Sequence, residues 1–128
     1  MVKKISIITP SYNQGKYIED AILSVINQKY SNFEHIIVDG KSSDETLDIL
    51  KKYEHLTWIS EKDSGQTEAL EKAMKLSSGE IIGWLNADDY YAENVFNFVN
   101  KQFSENNQDA LYGNLNYVNK EKQIISQR

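Results

Sequence analysis

The chain alternates short β-branched apolar runs with longer stretches whose apolar positions recur at helical spacing. Residues 4–9, Lys4-Ile5-Ser6-Ile7-Ile8-Thr9, form the first β-like run, and Pro10 closes it. Over residues 16–28 the apolar positions Tyr17, Ile18, Ala21, Ile22, Val25 and Ile26 follow the i, i+4, i+8 stripe of an amphipathic helix. Residues 33–38 predict a second strand, running into Asp39-Gly40. Ser42-Ser43-Asp44-Glu45 then offers a helix start, with Ser42 and Glu45 at capping-box spacing and Leu47, Leu50 and Tyr53 continuing the turn. Residues 57–60 predict a third strand. Residues 66–76 predict a helix with Ala69, Leu70, Ala73 and Met74 inward, and Gly79 suits its exit. Residues 81–85 predict a fourth strand that buries Ile81, Ile82 and Leu85 and takes Trp84 into the core. A helix over 93–103 and β segments over 110–112, 114–118 and 123–125 complete the chain. The last two segments flank the polar turn Asn119-Lys120-Glu121-Lys122.

Strand–helix alternation of this kind predicts an α/β fold, a mostly parallel Rossmann-like sheet flanked by helices, with a short β-hairpin near the C-terminus. Ligands of such sheets bind beyond the carboxyl ends of the strands. The polar signals fall there: TPSYNQG after the first strand, DGKSSDE after the second, SEKDSGQ after the third and NADD after the fourth. Turns are polar in any protein, which accounts for the Ser, Asn and Gly. It accounts less well for Asp39, Asp63, Asp88 and Asp89, which would share one rim and repel.

Composition narrows the function classes. The chain has 128 residues, 40% of them hydrophobic and 26% charged, which fits one globular domain over 1–128. A net charge of −5 argues against nucleic acid as a partner. Cysteine is absent, so disulfides and thiolate-ligated metals are excluded. No apolar run approaches the roughly 18 residues of a membrane span, and the N-terminal apolar run is too short for a signal peptide. His35, in a strand, and His55, in a loop, lack acidic partners at ligand spacing and read as structural.

The polar segments carry a more specific message. SIITPSYNQGKYIEDAILSVINQKYSNFEHIIVDGKSSDET resembles the start of a family 2 glycosyltransferase of GT-A fold. SEKDSGQTEALEKAMKLSSGEIIGWLNADDYY resembles that family's nucleotide-sugar segment and its D-x-D-type metal motif. The resemblance covers roughly the first hundred residues, in order. It implies transfer of a sugar from a nucleotide-diphosphate donor, UDP-type favoured, to a hydroxyl acceptor on a glycan, a lipid-linked glycan or a protein. It also implies a cytoplasmic site, at the inner face of the membrane, with peripheral membrane association of the full-length protein.

Each motif has a bland reading beside the functional one. Pro10-Ser11-Tyr12-Asn13 presents backbone groups and a ring to a planar base, or Tyr12 covers the sheet end. Asp39 is an acceptor suited to the N3–H of uracil, or a turn aspartate before Gly40. Lys41 meets phosphates or points to solvent. Asp63 resembles the family's donor-contacting loop, and Gly65-Gln66 opens a helix whose N-terminus faces the diphosphate. Neither of the two common glycine-rich phosphate cradles is present, so an acidic rim needs Mn²⁺ or Mg²⁺ to hold a diphosphate. By resemblance Asn86-Ala87-Asp88 is an N-x-D variant of the metal motif. Asp88 is then the main ligand, Asp89 supports it and Asn86 faces the ribose or sugar. The bland alternative starts a helix at Asp88-Asp89. An inverting mechanism needs a carboxylate base, expected beyond Arg128 in a chain cut before its acceptor-binding half. A non-catalytic nucleotide-binding fragment is the competing class. A dehalogenase-like phosphatase, a receiver domain and a nucleotidyltransferase lack their required residues near the first strand.

Overall fold

The structure is a computed structural model and describes residues 2–128. Strands β1 (Ile5–Ser11), β2 (Phe33–Asp39), β3 (Leu56–Ser60) and β4 (Ile81–Trp84) form one sheet in the order β3-β2-β1-β4. All three strand pairs are parallel. Helices α1 (Ile18–Ile26), α2 (Thr46–Leu50) and α3 (Gln66–Leu76) make the crossovers, and α4 (Val95–Glu105) follows β4. Strands β5 (Asn116–Val118) and β6 (Ile124–Gln127) form a separate antiparallel hairpin.

Side chains alternate across the sheet, and both faces of β1 and β2 are covered. Ile5 and Ile7 of β1 pack with Ala21 and Val25 of α1 and Phe96 of α4. Ile37 joins Ile18, Ile22 and Leu50 of α1 and α2. On the opposite face Ile8, Ile36 and Val38 meet Ala69 and Ala73 of α3, whose small side chains let that helix lie close to the strands. All seven residues of β1 are buried, Ser6, Thr9 and Ser11 among them, as a strand covered on both faces requires. Each fully buried isoleucine contributes about 1.5–3 kcal/mol relative to exposure.

Several local expectations are corrected. The stripe of α1 narrows to Ile18, Ala21, Ile22 and Val25, while Tyr17 and Ile26 at its ends stay exposed. The Ser42–Glu45 capping box does not form: Ser42 turns its hydroxyl to Asp39, and Asp44 accepts from Thr46 N and Oγ1 instead. Helix α2 therefore starts at Thr46 and ends at Leu50, short of Tyr53. Met74 is exposed, because only Ala69 and Ala73 of α3 lie fully buried against the sheet. Gly79 does not adopt a left-handed helix exit. A Cβ there would lie 2.7 Å from Ser6 N and 2.9 Å from Lys4 O, so glycine permits backbone to pass backbone.

Helix α4 begins two residues later than expected because Asn94 takes a left-handed φ of 60° just before it. Buried Gln28 accepts from Phe96 N and donates to Ala92 O, fixing that entry. The expected burial of Ile82 and Trp84 fails: they are 44% and 58% exposed. Helix α3 lies across β1 and β2, which leaves that face of β4 open. Residues 110–112 form no strand, since no neighbouring strand pairs with them. His35 is fully buried with Nε2 2.8 Å from Thr9 Oγ1, and burial pulls its pKa down to about 3, with the nearby His55 adding to the effect.

Candidate active site

The chain builds β1, β2 and β3 outward in one direction and then crosses to place β4 on the other side of β1. Neighbouring loops at such a switch point diverge and leave a crevice. A cleft of about 740 Å³ opens there, at the carboxyl ends of the strands. Pro10, Ser11 and Tyr12 line it from the end of β1, Gly40 from the end of β2, and Asp63, Gly65 and Gln66 from the entry to α3. Asn86, Ala87 and Asp88 line it from the end of β4. Four segments separated by up to about 78 positions in sequence thus meet at one surface. Asn13, Asp39, Lys41 and Asp89 lie outside the lining.

Asn13 and Asp39 work within the loops. Asp39 is fully buried, accepting at Oδ2 from Ser42 N (2.8 Å) and Ser60 Oγ (2.7 Å) and at Oδ1 from Ser42 Oγ (2.5 Å). Asn13, at a left-handed φ of 50°, donates its N–H to Ser42 Oγ and accepts from Ser43 N at Oδ1. Gln14 N donates to Thr46 Oγ1, and Gly15 N to Asp44 Oδ2. The loop after β1 is thereby stitched to the loop after β2, which holds Tyr12, 64% exposed, at the cleft wall. Lys41 has a left-handed φ of 64° and faces solvent. Asp63 lies over Gly40, where a Cβ would come within 3.1 Å of its Oδ1, and that oxygen accepts from Gly65 N. Gly65 takes a φ of 131°, a conformation few other residues adopt, and so delivers the chain into α3.

At the end of β4, Asn86 Oδ1 accepts from both Trp84 Nε1 (2.9 Å) and Gln66 Nε2 (3.0 Å). Its amide nitrogen donates to Asp89 Oδ2 at 3.4 Å. Asp88 makes no side-chain hydrogen bond or ion pair among the described residues and faces the cleft. Burial, then the charge of Asp88, pushes the Asp89 carboxyl up, and the Asn86 amide offsets part of that. Two adjacent carboxylates without a cationic partner have the hard oxygen chemistry that suits Mg²⁺ or Mn²⁺. Such ions need only one or two carboxylates when phosphate and water supply the rest. Among the described residues no group of three or more His, Cys, Asp or Glu side chains is placed to hold a metal ion.

Four lining residues escaped the sequence reading: Gln14, Lys62, Ser64 and Ala69. Ala69 reads from its helical position as core, yet it sits at the junction of core and cleft. Gln14 and Ser64 flank recognised positions and carry no signal of their own. Lys62 had one, as a cation beside Asp63 at the end of a strand.

A parallel sheet of this order, with a cleft at its switch point, is the architecture of a nucleotide-binding α/β protein. Residues 6–128 match Glycosyl transferase family 2, and the chain belongs to that family. It is 34% identical over 119 residues to the poly(ribitol-phosphate) beta-N-acetylglucosaminyltransferase TarP of Staphylococcus aureus (strain N315), covering 88% of this chain and 36% of TarP. The crystal structure of S. aureus TarS 1–349 in complex with UDP-GlcNAc superposes with a TM-score of 0.76 at 29% identity, covering 83% of this chain and 32% of that one. The mannosyltransferase PcManGT from Pyrobaculum calidifontis, in complex with GDP-Man and Mn²⁺, gives a TM-score of 0.72 at 25% identity, covering 80% and 33%. The chain spans about a third of the length of these proteins.

Proposed function

We propose that this chain binds the donor of a glycosyl transfer, a nucleotide-diphosphate sugar of UDP type, in the cleft between the ends of β1 and β4. The observation that carries the reading is the meeting there of an exposed tyrosine, Tyr12, with the unpaired carboxylate of Asp88. Tyr12, with Pro10 and Ser11, offers a face for the base. Asp39, buried and fully engaged, organises the loops beneath it, with Asn13 as its staple. Asp63, Gly65 and Gln66 flank the ribose and phosphates, and Asn86 and Ala87 border the sugar. Asp88, supported by Asp89, would hold Mn²⁺ or Mg²⁺, which supplies positive charge to the diphosphate. UDP is favoured because TarS, at 29% identity, takes UDP-GlcNAc.

The reaction served is inverting transfer to a hydroxyl acceptor in glycan or polysaccharide synthesis, supported by the poly(ribitol-phosphate) substrate named for TarP. No helix of the described residues is long and apolar enough to cross a membrane. Because nucleotide sugars are cytoplasmic metabolites, the reading puts the site on the cytoplasmic side, with membrane contact left to other surfaces of the full-length protein.

Calorimetry with UDP, GDP and dTDP, with and without Mn²⁺, tests the reading on wild type and Asp88→Ala. UDP should bind in the presence of Mn²⁺, and Asp88→Ala should weaken that binding by roughly tenfold or more while leaving the circular dichroism unchanged. Equal affinity in the variant removes the metal bridge. Absence of nucleotide binding in both proteins removes the whole reading.

A further inference from the structure

The cleft that we read as a donor site has one cationic residue in its lining, Lys62. We infer that Lys62 is the diphosphate-binding cation of this protein, pairing with the leaving nucleoside diphosphate in the cleft that Asp88 also lines. The inference rests on the proposed donor site and adds a residue that neither the sequence motifs nor the family match assigns.

Three observations converge on it. Lys62 lies between the end of β3 and the N-terminus of α3, in the same strip of cleft wall as Ser64, Gly65 and Gln66. It is exposed and has no ion pair among the described residues. Two nearby glutamates are already engaged: Lys72 reaches Glu61 Oε1 at 2.8 Å and Glu68 Oε1 at 2.9 Å, while Asp63 turns Oδ1 to Gly65 N. Glu68 also accepts from Ser64 N and Oγ, which with Lys72 holds its carboxyl down at about 2. With both glutamates already paired to Lys72 and no ion pair of its own among the described residues, Lys62 leaves its ammonium open to an anion in the cleft.

Charge balance explains why the cleft needs it. Asp63 and Asp88 line the cavity with two negative charges, so one divalent cation does no more than balance those two carboxylates. A nucleotide sugar carries two negative charges on its diphosphate. The departing nucleoside diphosphate carries about one more, because the electron pair of the broken sugar–oxygen bond stays on its terminal phosphate. Lys62 supplies the additional positive charge, and its contribution grows as that bond breaks. A compact ammonium on a flexible stem suits a phosphate that shifts during the reaction.

Calorimetry on the 128-residue chain separates the possibilities, using UDP, UMP and uridine with Mn²⁺ present. Lys62→Met should weaken UDP roughly ten- to a hundredfold, UMP less, and uridine not at all, with Lys62→Arg recovering most of the loss. Lys101→Met removes an equal charge from exposed α4 and should leave all three affinities unchanged. If wild type binds UDP and Lys62→Met binds it equally well, or if UDP and uridine weaken together, the role of Lys62 is overturned and the donor site stands. If wild type binds none of the three, donor site and Lys62 role fall together.

Discussion

Asn86 heads the Asn86-Ala87-Asp88 segment that we read as a variant D-x-D motif, and its amide is held by three contacts. Oδ1 takes two N–H donors, from Trp84 and Gln66, so the oxygen is spent on orientation. The amide nitrogen then faces Asp89, where a second carboxylate would repel it. Asn86→Asp should destabilise the metal-free protein by on the order of 1 kcal/mol, since one hydrogen bond becomes a like-charge contact. Melting temperature, measured with and without Mn²⁺, checks this: the variant should melt a few degrees lower alone and regain more than wild type when Mn²⁺ is added. A variant that melts like wild type in both conditions contradicts the arrangement. At this scale the sequence was informative about chemistry and weak on allegiance. Asp63 and Asp88 line the cleft as their places just after strand ends suggest. Asp39 has the same signature, yet three donors supplied from Ser42 and Ser60 draw it inward, and no spacing rule announces that.

Among elements, α3 connects the core to the cleft: Ala69 and Ala73 seat it on β1 and β2, and its N-terminus borders the site. The turn behind it depends on Gly79, which lets residues 78–80 pass against β1. Ser6 Oγ accepts from Gly79 N and donates to Glu34 Oε1. Burial tends to raise the Glu34 carboxyl, but bonds from Ser6, Ser78 and Lys4 outweigh it and hold the group low. Gly79→Ala would put a Cβ 2.5 Å from Ser6 Oγ and 2.7 Å from Ser6 N, so it should cost about 2–4 kcal/mol in urea denaturation. A loss below about 0.5 kcal/mol would mean that the turn relaxes freely. Strands and helices were readable because a two-sided sheet demands apolar runs and its helices demand stripes. The turn was misread as a helix exit because a glycine required by distant backbone looks the same in sequence as one required by its own φ.

For the whole molecule, buried His35 ties stability to pH. Its folded-state pKa of about 3 lies below the ordinary 6.5, so between these values the unfolded chain binds a proton that the folded chain excludes. Stability is therefore fully present above about 6.5 and falls as pH drops through the window, by at most about 1.4 kcal/mol per unit for this one group. His55, lowered by its own burial, acts in the same direction. Urea midpoints at pH 7 and pH 5 should separate clearly in wild type and less in His35→Gln, which keeps a polar partner for Thr9. Equal separations would assign the acid sensitivity elsewhere. Sheet order, unlike sheet content, was not in the local pattern, because it depends on which side of β1 the fourth strand joins. That side also sets a schedule. Ile5 pairs with Ile81, so during synthesis β1 waits for a partner made 76 residues later, roughly four to fifteen seconds at ordinary elongation rates. Until then the strand that leads into Tyr12 has a bare edge, and the cleft lacks the wall that follows β4.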